Sequence, residues 1–135
     1  MKMNPRQHLE ALATEIEREI LETGTILFNG TEVFKNNSSN NPYSGLCHGA
    51  VWKLKELAPD LEMNYVAFEI SNGKNQLSKD VHAVAKVLTE NGNFIVDPTI
   101  QQYLPNAKMV YAANEEYPLI AIQGTMTEMP LQNYP

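Results

Sequence analysis

Cys47, His82 and Asp97 bring a nucleophile, a base and a carboxylate into one chain in that order. A thiol attacks as its thiolate, so it needs a neighbour that lowers its pKa. An imidazole does this and later protonates the leaving group. The imidazole in turn needs an acceptor behind it to fix its tautomer and rotation. The local context suits each role. Cys47, the only cysteine, lies where the glycine-marked loop ending Ser44-Gly45 gives way to an apolar-periodic stretch, with Leu46, Ala50, Leu54 and Leu57 at helical spacing. That places the thiol in the first turn of a helix, where unpaired N–H groups and the helix dipole favour an anion. His82 opens the apolar run Val81 to Leu88, and Asp97 closes the run that begins at Asn93.

Competing roles exist for the same residues. A lone cysteine on an apolar helix can be a core residue. Asp80 shares a strand face with His82 and competes with Asp97 for the orienting role. His48 completes a nominal metal set with Cys47, His82 and Asp97, but adjacent helical side chains diverge by about 100° and make poor joint ligands. The reading therefore calls for no metal and no cofactor. Trp52 lies off the Leu54 stripe and is expected to pack on the sheet, and His8 sits on a solvated helix.

The elements that must position the three residues follow from pattern. Asn4-Pro5 caps and opens a helix whose stripe is Leu9, Leu12, Ala13, Ile16 and Ile20, ended by Gly24. Thr25–Phe28 and Thr31–Phe34 flank Asn29-Gly30 as a hairpin. Lys35 to Gly45 is a loop. The Cys47 helix runs to about Ala58, before Pro59. Glu62 to Ser71 predicts a central strand apolar on both faces, and Asn72 to Lys79 a polar turn. Val81–Leu88 and Asn93–Asp97 predict a second hairpin, followed by a helical turn near Ile100 and strands at Lys108–Ala113 and Leu119–Gln123. From Gly124 the tail is weakly patterned and is expected to be peripheral.

The second hairpin carries a strict geometric demand. A two-residue turn at Asn91-Gly92 would set Lys86 opposite Asp97 and leave His82 roughly 13 Å away along the strand. A loop of Thr89 to Gly92 sets Leu88 opposite Asn93, Lys86 opposite Ile95 and Val84 opposite Asp97. His82 and Asp97 then form a diagonal pair within side-chain reach. The chemistry predicts the four-residue loop, or a bulge of equal effect.

The stretches "GLCHGAVWKLKEL" and "VHAVAKVLTENGNFIVDPT" resemble the nucleophile helix and the His-strand, turn and Asp-strand of the papain-like cysteine enzymes, most closely their transglutaminase-like branch. The resemblance covers roughly residues 41–100. It implies an α+β fold, with a nucleophile helix on an antiparallel sheet, in one domain spanning 1–135. It implies Cys47 as nucleophile, His82 as general acid/base and Asp97 as orienting group. In papain-type members a side-chain amide six residues before the cysteine helps to hold the oxyanion, which falls on Asn41 here. The family's usual aromatic after the histidine is replaced by Ala83 and Val84, a departure from the cross-linking members. A compact domain of this kind resembles bacterial effector or toxin deamidases and proteases. The expected activity is thiol-dependent amide hydrolysis on a protein or peptide, as a glutamine deamidase or peptidase. Acyl transfer, or an inactive binding module of the same fold, are the alternatives.

Composition limits the other classes. With 135 residues, 43% of them hydrophobic, the chain can build a real core, and a net charge of −6 argues against nucleic acid or an anionic membrane as the main partner. One cysteine makes no internal disulfide. The charged stretch from Pro5 to Glu22 has no apolar signal region. The expected location is cytoplasmic, or reached by a secretion route that needs no signal peptide. Nothing in the sequence fixes an oligomeric state.

Overall fold

The computed structural model describes residues 4–28, 30–36, 43, 45–71 and 81–132. It is an α+β arrangement of two helices packed on antiparallel sheets. Helix α1 spans Pro5–Thr23. Its first turn is closed by a capping box in which the Asn4 side chain accepts from the Gln7 N–H at 2.8 Å and the Gln7 side chain accepts from Asn4. Its last turn ends at Gly24, whose φ of 68° suits glycine and whose N–H reaches Ile20. Leu9, Ala13, Ile16 and Ile20 form the buried stripe, as the spacing predicts. Strands β1 (Thr25–Phe28) and β2 (Thr31–Lys35) make the expected hairpin as a separate two-stranded sheet.

Helix α2 spans Cys47–Leu57, with Cys47 as its first residue. It buries Cys47, Ala50, Val51 and Leu54 in one cluster with the α1 stripe and with Ala83, Ala85 and Val87 of the main sheet. Trp52 is partly buried against that cluster. The helix approaches the small hairpin closely at Gly49. A Cβ there would stand 2.6 Å from Phe34 Cγ and 3.0 Å from Ile26 Cδ1. Phe34 Cγ is the root of the ring and cannot move aside alone. Gly49→Ala should therefore destabilise by about 1–3 kcal/mol through overpacking, more than the helix gains from alanine. A urea midpoint at or above that of the parent would contradict this.

The main sheet has the order β6-β5-β4-β3-β7 and is antiparallel throughout. It comprises β3 (Glu62–Glu69), β4 (Val81–Thr89), β5 (Gly92–Val96), β6 (Val110–Ala112) and β7 (Thr127–Pro130). One face packs on the helices. The other encloses a second cluster of Val66, Phe68, Ile70, Val84, Ile100, Tyr111 and Leu119, closed in part by the short 3-10 helix Ile100–Gln102.

The β4–β5 register is the one the chemistry demands, with Leu88 opposite Asn93 and Lys86 opposite Ile95. The loop is tighter than the predicted four residues, because Thr89 pairs with Gly92 and only Glu90-Asn91 lie between them. The Thr89 hydroxyl donates to the Gly92 carbonyl at 2.6 Å and accepts from the Asn91 N–H, while Gly92 takes a φ of 117°. Two other expectations are corrected. Leu119–Gln123 is not a strand but a single bridge of Ala121 to Ile70, cut short where the chain turns at Gly124. The tail beyond Gly124 is not peripheral. Its Thr127–Pro130 segment pairs with β3 as the sheet's edge, a place where proline is tolerated.

Candidate active site

The adjacent strands β4 and β5 bring two of the three predicted residues into direct contact. His82 is the second residue of β4, and Asp97 follows the last residue of β5. The Asp97 N–H continues the ladder to Met109 at 2.7 Å, which holds its backbone in line with the strand. His82 Nε2 and Asp97 Oδ2 are 2.7 Å apart, and both side chains are wholly buried. The same carboxylate oxygen accepts from the Tyr117 hydroxyl at 2.5 Å. Phe68 and Tyr103 set their rings nearly perpendicular to the imidazole, with centroids 5.9 and 5.2 Å away. The His82 ring is thus fixed by one charged hydrogen bond and two aromatic contacts.

With Nε2 committed to Asp97, Nδ1 is the nitrogen left for the thiol. Nδ1 is buried and closes no hydrogen bond among the described residues. Cys47 nevertheless lies near enough for the two groups to move each other's acidity. Burial alone would push the Cys47 thiol up. The neighbouring His48 and His82 rings and the charge on them outweigh it and hold the thiol at about 6. Burial would likewise push His82 down, but the Asp97 carboxylate, with help from Cys47, raises it to about 10. Between those values the resting pair is thiolate and imidazolium.

Cys47 is buried, with 8% of its surface exposed. An open groove of about 330 Å³ runs beside the start of β4, lined by Ala67, Phe68, Glu69, Val81, Thr125 and Thr127. Val81 precedes His82, and Phe68 touches the His82 ring. Cys47 is not part of the groove's lining.

The remaining sequence candidates fall differently. Asn41 and Asp80 lie outside the described residues. His8 is exposed on α1. His48 turns its Nδ1 to the Tyr65 hydroxyl. Among the described residues no group of three or more His, Cys, Asp or Glu side chains could hold a metal ion. Nor is any helix among them long and apolar enough to cross a membrane.

Sequence reasoning missed Tyr117, Phe68, Tyr103 and the His48–Tyr65 pair. Tyr117 sits in an irregular segment with no periodicity to place it. Phe68 was partly accessible, since its strand carries apolar residues on both faces and the β3–β4 register puts it opposite His82.

No family model, no curated protein and no solved structure matches this chain.

Proposed function

We propose that the protein is a cysteine-dependent amide hydrolase of papain-like fold acting through a Cys47 acyl-enzyme. The observation that carries this reading is the buried His82–Asp97 pair at 2.7 Å, set beside a thiol at the start of a helix and acting on its acidity. A structural cysteine in an apolar core has its pKa raised rather than lowered.

The Cys47 thiolate attacks the carbonyl carbon of an amide, forming a C–S bond while the carbonyl π electrons move to oxygen. Backbone N–H groups in the first turn of α2 are not used by the helix ladder and can meet that oxyanion. On collapse the C–N bond breaks, and its electron pair leaves with nitrogen, which takes the proton from the His82 imidazolium. Neutral His82 then removes a proton from water as the water attacks the thioester. The C–S bond breaks, the carboxylic acid departs, and the thiolate and imidazolium are restored. Asp97 keeps His82 charged and oriented, and Tyr117 fixes the carboxylate. The substrate is a protein or peptide that offers an amide side chain or bond to Cys47. The product depends on which amide enters: a glutamine side chain gives deamidation and a backbone amide gives cleavage.

Incubation with candidate proteins followed by intact-mass analysis tests the class. Replacement of an amide NH2 by OH marks deamidation, fragments mark proteolysis, and amine adducts mark acyl transfer. The rate should follow a bell in pH. Its acid limb lies near 6, where the thiolate forms, and its alkaline limb follows the loss of the His82 imidazolium near 10. A rate that only rises toward the free thiol value of about 8.5 would remove the ion pair and the reading with it.

A further inference from the structure

Cys47 has a second imidazole beside it that the triad does not use. His48 Nδ1 is hydrogen-bonded with the Tyr65 hydroxyl, and the two rings stack with centroids 5.7 Å apart and planes 24° from parallel. Both residues are half-buried. Tyr65 belongs to β3 and stands opposite Ala85 of β4, so His48 is tied to the main sheet and not to a loop. This tie has a geometric consequence. Neighbouring side chains on a helix diverge by about 100°, and an untethered His48 would swing away from Cys47. Stacking on Tyr65 fixes the plane of the ring, and the hydrogen bond at Nδ1 leaves Nε2 as its free nitrogen. The acidities report one cluster. His48 is raised chiefly by its hydrogen bond with Cys47, and Tyr65, raised mainly by burial, also feels the Cys47 charge.

We propose that His48, oriented by Tyr65, is a second catalytic imidazole, which donates a hydrogen bond to the Cys47 thiolate in the resting enzyme and so leaves His82 free to serve the leaving group. The inference rests on Cys47 being the nucleophile. The two rings divide the work by environment. His82 is wholly buried, bound to Asp97 and enclosed by Phe68 and Tyr103. His48 is half-buried on the helix itself. The titratable groups that act on the thiol are His48 from α2 and His82 from β4, with Asp97 behind His82, and Tyr65 from β3 feels the charge on the sulfur.

The test is the rate of Cys47 alkylation by iodoacetamide as a function of pH, in parent, His48→Phe, His48→Gln and Tyr65→Phe proteins, with far-UV circular dichroism on each. The parent should titrate with a midpoint of about 6. His48→Phe should raise the midpoint by about one pH unit or more, with the alkaline limiting rate little changed. Tyr65→Phe keeps the ring stack, loses the hydroxyl and should give a smaller rise. If His48→Phe does not fold, His48→Gln and Tyr65→Phe decide the matter. Profiles of the folded variants that superimpose on the parent overturn the role of His48 and leave the triad standing. A parent midpoint near the free thiol's value of about 8.5 overturns the triad itself, and this inference with it.

Discussion

If Cys47 is the nucleophile of an amide hydrolase, as proposed, Cys47→Ser should abolish turnover and leave the protein folded. The serine hydroxyl occupies nearly the volume of the thiol, and the first position of α2 is held by the Leu46, Ala50 and Val51 packing around it rather than by the sulfur. The chemistry does not survive the exchange. His82 is poised as an imidazolium by Asp97, which suits a thiolate partner. An alcohol, far less acidic than a thiol, would have to surrender its proton to an imidazole that is already protonated. Losing a nucleophile in comparable systems costs several powers of ten, about 10⁴ or more. The measurement is turnover of a substrate identified by mass analysis, with thermal unfolding as the control. Residual turnover above about one part in a hundred, in a protein that unfolds normally, would mean that Cys47 is not the nucleophile.

The parts of this site that were legible in the sequence are those where local pattern and chemistry point the same way. Cys47 could be placed at a helix start because Gly45 and the Leu46–Ala50–Leu54 spacing bracket it. His82 and Asp97 could be placed on paired strands because both runs are strongly apolar. Their register could not be read from turn propensity, since Asn91-Gly92 is the better local turn signal and gives the wrong pairing. The requirement that His82 reach Asp97 selected the observed ladder, although Thr89 and Gly92 pair and shorten the loop beyond expectation. The supporting shell was less accessible. Tyr117 and Tyr103 come from segments without a repeating apolar pattern, and only tertiary folding brings them to Asp97 and His82. The edge strand was missed for a related reason. Thr127–Pro130 is exposed along its length, so its pairing with β3 leaves no burial signature to read.

Asp97→Ala should be the most damaging single change to stability, and its cost should depend on pH in a direction that tests the charge on His82. Removing one partner of a buried ion pair typically costs about 3–5 kcal/mol, and here the Tyr117 hydroxyl loses its acceptor as well. The pH dependence is cleanest in a Cys47→Ser background. With the thiol present, its lowered pKa adds stability as pH rises past 6 and offsets the opposite trend of His82. Without it, His82 dominates at the site. With Asp97 still beside it, its folded pKa stays raised above the unfolded value of about 6.5, so its contribution is complete below that value and is lost as pH climbs through the raised value. In Cys47→Ser/Asp97→Ala nothing opposes burial by Phe68 and Tyr103, and the imidazole pKa falls below its unfolded value. The trend then reverses, and that protein loses stability as pH drops below about 6.5. Urea midpoints of the two proteins should therefore diverge most under mildly acidic conditions and converge toward alkaline pH. A gap of constant size across the range would show that His82 is neutral in the folded protein, and Asp97 would then act as a hydrogen-bond acceptor without holding a charge on the ring.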